Sequence, residues 1–99
     1  MADPLHPSVL RLIYMTCQGA AKYKRPVAVC GAVAGDLTAV PILIGLGVTE
    51  LAVSANLIAP IKAFVRKMSL EHAKQVALKA LQCPDAQAVR ALVKKEFGK

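Results

Sequence analysis

The chain has 99 residues, room for one small domain. It is 56% hydrophobic but only 4% aromatic, and its net charge is +7, from 13 basic and 6 acidic residues. Its cysteines, Cys17, Cys30 and Cys83, are odd in number and far apart, with no CxxC pair, which excludes a disulfide framework and a zinc signature and points to a reducing cytosol.

The first element follows His6-Pro7-Ser8, where Val9, Leu10, Leu12, Ile13 and Met15 recur at helical spacing as far as Lys22. Pro7 suits a first turn, and Gly19-Ala20-Ala21 offers a close-packing face. Lys22 to Arg25 is a cationic exit, and Pro26 ends the pattern. Val27-Ala28-Val29-Cys30 is short, continuous and rich in β-branched residues, the pattern of a strand buried on both faces.

Gly31 to Gly35 reads as a loop, with Asp36 as N-cap of a helix through Thr38, Val40 and Leu43 that ends at Gly45 and Gly47. Glu50 to Ser54 reads as a second strand, and Asn56 as the cap of a helix holding Ile58, Ile61, Phe64 and Val65. Ser69 opens a helix whose apolar face is Leu70, Ala73, Val76, Ala77 and Leu81. Pro84-Asp85 starts a last helix with the stripe Ala88, Val89, Leu92, Val93 and Phe97.

This order predicts an α/β chain in which one βαβ unit sets two strands parallel. Two strands alone keep open edges, and one explanation of so apolar a small chain is that part of its surface faces something absent from it, so the pattern wants neighbours. No signal peptide precedes the first helix, and the longest apolar stretch, Leu37 to Val48, falls short of the ~20 residues of a membrane span. No repeat or long linker divides residues 1–99, which read as one unit. The basic residues are dispersed; solvated helix ends and a basic binding surface both account for them.

Cys30 is the one candidate catalytic group, because ligands of parallel α/β folds sit beyond the carboxyl ends of strands. A space-filling thiol explains the same position. Gly31, Gly35 and Asp36 form the loop beside it. Ser54 and Asn56 end the second strand on the same side and could touch a ligand or cap a helix. His6 and His72 lack a suitably spaced second ligand and read as surface residues, Cys17 and Cys83 as packing residues. Glu50, at a strand entrance, lies on the stability side of such a fold.

Several separated strings carry a resemblance. Leu5-His6-Pro7-Ser8-Val9-Leu10-Arg11, Val29-Cys30-Gly31-Ala32-Val33-Ala34-Gly35-Asp36, Val40-Pro41-Ile42 through Glu50-Leu51-Ala52-Val53-Ser54, and Ile61-Lys62-Ala63-Phe64-Val65-Arg66 occur in order. Together, from about Pro4 to Val93, they resemble the C-terminal barrel of the phosphoenolpyruvate (PEP)-utilising enzymes. Within that family the likeness is greatest to PEP–protein phosphotransferases of the sugar phosphotransferase system and to multiphosphoryl transfer proteins, and more distant to pyruvate phosphate dikinase.

The resemblance implies the last quarter of a (β/α)8 TIM barrel, about two parallel strands with four or five helices. It implies a cytoplasmic transferase that moves the phosphoryl group of PEP to a histidine and releases pyruvate. The position of Cys30 matches the family's proton donor to enolpyruvate. Magnesium, bound through carboxylates on earlier strands, a phosphocarrier protein contacted by a separate N-terminal domain, and a homodimer are implied likewise; no nucleic acid and no membrane partner is. The family loop usually carries a glutamate where this chain has Ala32, and the phosphohistidine and the PEP-binding arginines have no counterpart here, so the isolated chain is expected to be inactive. The rival expectation is a non-enzymatic interaction module, motivated by the charge and by Ala32.

Overall fold

A computed structural model describes residues 5–30 and 37–98, with Cys30 described through its backbone. The elements run α1 (Pro7–Lys22), β1 (Ala28–Cys30), α2 (Val40–Leu46), β2 (Glu50–Ala52), α3 (Ala55–Arg66), α4 (Leu70–Ala80) and α5 (Ala86–Phe97). The chain is thus α/β, with two strands and five helices among the described residues. The strands pair in parallel, with Ala28 opposite Glu50, Val29 opposite Leu51 and Cys30 opposite Ala52.

Local chemistry accounts for most boundaries. At α1 the ring Nδ1 of His6 accepts the Ser8 N–H at 3.1 Å, with Pro7 in the first turn. Ser69 Oγ accepts the His72 N–H at 3.2 Å to start α4, and Asp85 Oδ1 accepts the Ala88 N–H at 2.8 Å to start α5. Lys22, Arg66, Lys79, Lys94 and Lys95 all lie in last turns, where the helix dipole favours cations.

The helices leading into the two strands end in the same way. After α1 the Arg25 N–H reaches the Ala20 carbonyl at 2.8 Å and the Lys24 N–H the Ala21 carbonyl at 3.1 Å. After α2 the Val48 N–H reaches the Leu43 carbonyl and the Gly47 N–H the Ile44 carbonyl, both at 3.1 Å. Both are Schellman caps, which need one left-handed residue. Gly47 supplies it with φ +111°, whereas at the first cap the residue is Lys24, with φ 54°.

The core lies among α1, α2, α4 and α5. Leu5, Leu10, Ile42, Leu43, Val76, Val89 and Val93 are fully buried there. The α2 helix packs mainly on α4. Their closest approach is at Gly45, where an added Cβ would fall on the Ala73 carbonyl and come within 2.8 Å of the Ala77 Cβ. Arg11 of α1 reaches across to the end of α4, its guanidinium donating to the Leu81 carbonyl at 2.8 Å.

Several sequence expectations change. The close-packing glycine is Gly45, within α2, and not Gly19, which has open space around it. The α2 helix starts at Val40 with Ala39 as N-cap, three residues beyond the expected cap at Asp36, which lies outside the described residues. The second strand stops at Ala52 rather than Ser54. The strands are not buried on both faces: Val29 and Leu51 pack against the core, whereas Ala28, Glu50 and Ala52 are exposed, because among the described residues helices cover one face of the pair. Leu12, Met15 and Leu70, assigned to apolar faces, are more than half exposed. In α3 only Ile61 is buried, and Pro60 interrupts the helix interior.

Candidate functional site

Because the strands are parallel, their carboxyl ends lie side by side. Cys30 is the last residue of β1 and pairs with Ala52, the last of β2. Two residues on, Ser54 is the N-cap of α3, so this end of the sheet brings together the Cys30 backbone, the Ser54 hydroxyl and the first turn of α3. Gly31, Ala32, Gly35 and Asp36, the expected loop, lie outside the described residues.

Ser54 and Asn56 depart from expectation. Ser54 sits at the cap but makes no side-chain capping bond, and Asn56 lies inside the first turn instead of capping it. Both are exposed. The end of the sheet that carries Cys30 therefore also presents a hydroxyl and an amide not spent on capping α3.

The opposite end of the pair is closed by Thr49. Its Oγ1 accepts the Val27 N–H at 2.9 Å and donates to the Val27 carbonyl at 3.1 Å. The same carbonyl accepts the Thr49 N–H at 3.0 Å and the Glu50 N–H at 3.1 Å. Glu50 is exposed beside it, on the side expected to carry stability.

The other titratable groups lie elsewhere. His72, read from sequence as a surface residue, is paired: its Nε2 is 2.9 Å from Glu96 Oε1, and its ring centroid is 4.8 Å from that of Phe97. The hydrogen bond from His72, with the charges of Lys79, His72 and Lys95, holds the Glu96 carboxyl below its ordinary range. Phe64, Lys67, Met68 and Ser69 complete a groove of about 410 Å³ around this pair, at the far end of α3 from Ser54. No spacing rule links residues 72 and 96, so the sequence carried no signal for it.

Cys17 is buried at the α1–α2 contact, and burial raises its thiol pKa. Cys83 is half-buried, and burial and then the Asp85 charge raise its pKa. Neither is an activated thiolate, and both pack as expected. Among the described residues no three His, Cys, Asp or Glu side chains converge, so they do not by themselves build a magnesium site. Nor is any described helix long and apolar enough to cross a membrane.

The comparisons with known proteins agree with one another. The multiphosphoryl transfer protein of Xanthomonas campestris pv. campestris is 47% identical over 97 residues, 98% of this chain and 12% of that protein. The PEP-protein phosphotransferase of Mycoplasma capricolum subsp. capricolum is 40% identical over 91 residues, 92% of this chain and 16% of that protein. That of Bacillus subtilis is 38% identical over 95 residues, 96% of this chain and 17% of that protein. The chain thus spans less than a fifth of the length of these curated relatives. Residues 1–70, which run from α1 through α3, match the family described as PEP-utilising enzyme, PEP-binding domain. With a family match over most of its length and relatives aligned almost end to end, the chain belongs to the PEP-utilising enzymes, as part of their PEP-binding domain.

Proposed function

We propose that this chain is the C-terminal part of a PEP–protein phosphotransferase barrel and that Cys30 is its proton donor. The observation that carries the reading is the position of Cys30 as the final residue of a parallel strand within the family match. In the complete enzyme, a histidine on a separate domain attacks the phosphorus of PEP and the bridging P–O bond breaks, leaving enolpyruvate. Protonation of its methylene carbon then gives pyruvate. A thiol with a pKa of about 8.5 is mostly protonated at neutral pH and can supply that proton.

The exposed face and open edges of the two strands fit a fold completed by earlier βα units into an eight-stranded barrel. Magnesium would be held by carboxylates on those units. Sugar uptake in the cytoplasm, a phosphocarrier protein as acceptor and a homodimer complete the proposed setting.

The test is a chimaera in which this chain replaces the matching segment of the Xanthomonas campestris multiphosphoryl transfer protein. Cys30→Ala should lower PEP-dependent pyruvate formation by a factor of about 100 or more, the usual range for loss of a general acid. Unchanged turnover in that variant would remove Cys30 from the mechanism. The isolated chain is expected to release no pyruvate.

A further inference from the structure

We infer that Thr49 is a positioning residue, which sets the register of β1 against β2 and so the height at which Cys30 stands at the active end of the sheet. The inference rests on the reading of Cys30 given above.

Each strand has only three residues, so the ladder between them is short. In a long sheet many backbone bonds and a two-sided core resist a slip. Here the described residues leave one face exposed, and Val27, Val29 and Leu51 reach the core from the other. Sliding by one residue would move the Cys30 backbone by about 3.3 Å along the strand and exchange the two faces of β1. Something must hold the pair in step.

Thr49 does this at the entrance. Its hydroxyl engages both the N–H and the carbonyl of Val27, and the N–H groups of Thr49 and Glu50 meet the same carbonyl. Four hydrogen bonds thus join two consecutive residues of one segment to a single residue of the other. A slipped register would leave the Thr49 hydroxyl opposite Pro26 or Ala28; Pro26 has no N–H, and Ala28 faces the other way along the pleat. The hydroxyl therefore selects Val27.

Thr49 is itself held from behind. The Schellman cap ends α2 at Gly47, and Val48, only 7% exposed, is anchored in the core beside Leu43. The residue that follows this anchor has little freedom. Register is thereby passed from the packed helices to the strands through Thr49, by its hydroxyl and its N–H together, from the stability side to the catalytic side.

The test uses Thr49→Val, which keeps shape and β-branching but loses the hydroxyl, and Thr49→Ser, which keeps the hydroxyl. In the 99-residue chain, Thr49→Val should speed exchange of the paired amides of β1 and β2, read by peptide mass, about five-fold, the usual effect of losing one net hydrogen bond. The amides of Leu43–Leu46 in α2 should exchange at their original rate, and Thr49→Ser should restore the strand amides. In the chimaera, Thr49→Val should lower kcat about five-fold with KM for PEP unchanged, and Thr49→Ser should recover it.

Unchanged strand exchange in Thr49→Val overturns the inference. So does Thr49→Ser behaving like Thr49→Val, because the hydroxyl would then be irrelevant. Equal acceleration of those α2 amides overturns it too, since the hydroxyl would then hold the whole fold and not the register. Amide exchange does not depend on turnover, so failure of Cys30 as proton donor shows separately, as an active Cys30→Ala chimaera.

Discussion

The helices α2, α4 and α5 and the strand pair β1–β2 belong to one small chain but meet water very differently. In the helical half, Ile42, Leu43, Val76, Val89 and Val93 are fully buried and Gly45 lets two backbones touch. In the strand half, one face is exposed, each strand has three residues, and the helix that follows buries only Ile61. The contrast separates what the chain does for itself from what it leaves to neighbours. The helices close a core of their own. The strands, which carry the candidate catalytic position, are finished on one side only.

The boundary between these halves does not coincide with the family match. That match ends at residue 70, where α4 begins, yet α4 is the main surface against which α2 packs. The C-terminal helices thus support the βαβ unit from outside the matched region. The curated relatives align through them as well, over 91 to 97 residues.

The sharpest way to break the contrast is at the α2–α4 contact. In an open helix, Gly→Ala stabilises by about 1 kcal/mol. Gly45→Ala should do the reverse, costing about 2 kcal/mol because the new methyl meets the Ala73 backbone. Gly19→Ala, in open space on α1, should show the ordinary gain of about 1 kcal/mol. Thermal melts by circular dichroism check both. Gains at both sites would mean that α2 and α4 are not in contact.

A smaller effect is expected where α1 leads into the strands. Lys24 occupies a left-handed position that glycine fills after α2. Lys24→Gly should stabilise the chain by about 0.5–1 kcal/mol, the relief of the left-handed strain less the backbone entropy of glycine. A loss of stability in the same melt would mean that the Lys24 side chain makes a contact worth more than the strain.

Much of this division was legible in the sequence. The β-branched run before Cys30, the proline ahead of it and the spacing to Glu50 predicted two parallel strands. Ser69 and Asp85 announced their helices by type and place, because capping is a local matter of one side chain and an N–H three residues on. The excess of apolar residues announced an incomplete surface.

What was not legible depends on residues far apart in the chain. Gly45 looked like a helix terminator, because its meaning lies in Ala73, on another helix. Thr49 carried no motif, since its partner is Val27, 22 positions away. His72 looked solitary for the same reason, its partner being Glu96. Leu12 and Met15 satisfied the helical period but lie on a face that this chain does not cover. Periodicity identifies an apolar face and cannot say whether its cover lies within the chain.

The central claim is that the helical half is self-supporting while the strands await the rest of a barrel, and residue-resolved hydrogen exchange on the 99-residue chain tests it most directly. The hydrogen-bonded amides of Leu43–Leu46 in α2 and Ala73–Ala80 in α4 should exchange only through global unfolding. The amides that pair β1 with β2 should exchange at least about ten-fold faster, through local opening. Equal protection of strands and helices would contradict the account, because the strand pair would then be complete without neighbours.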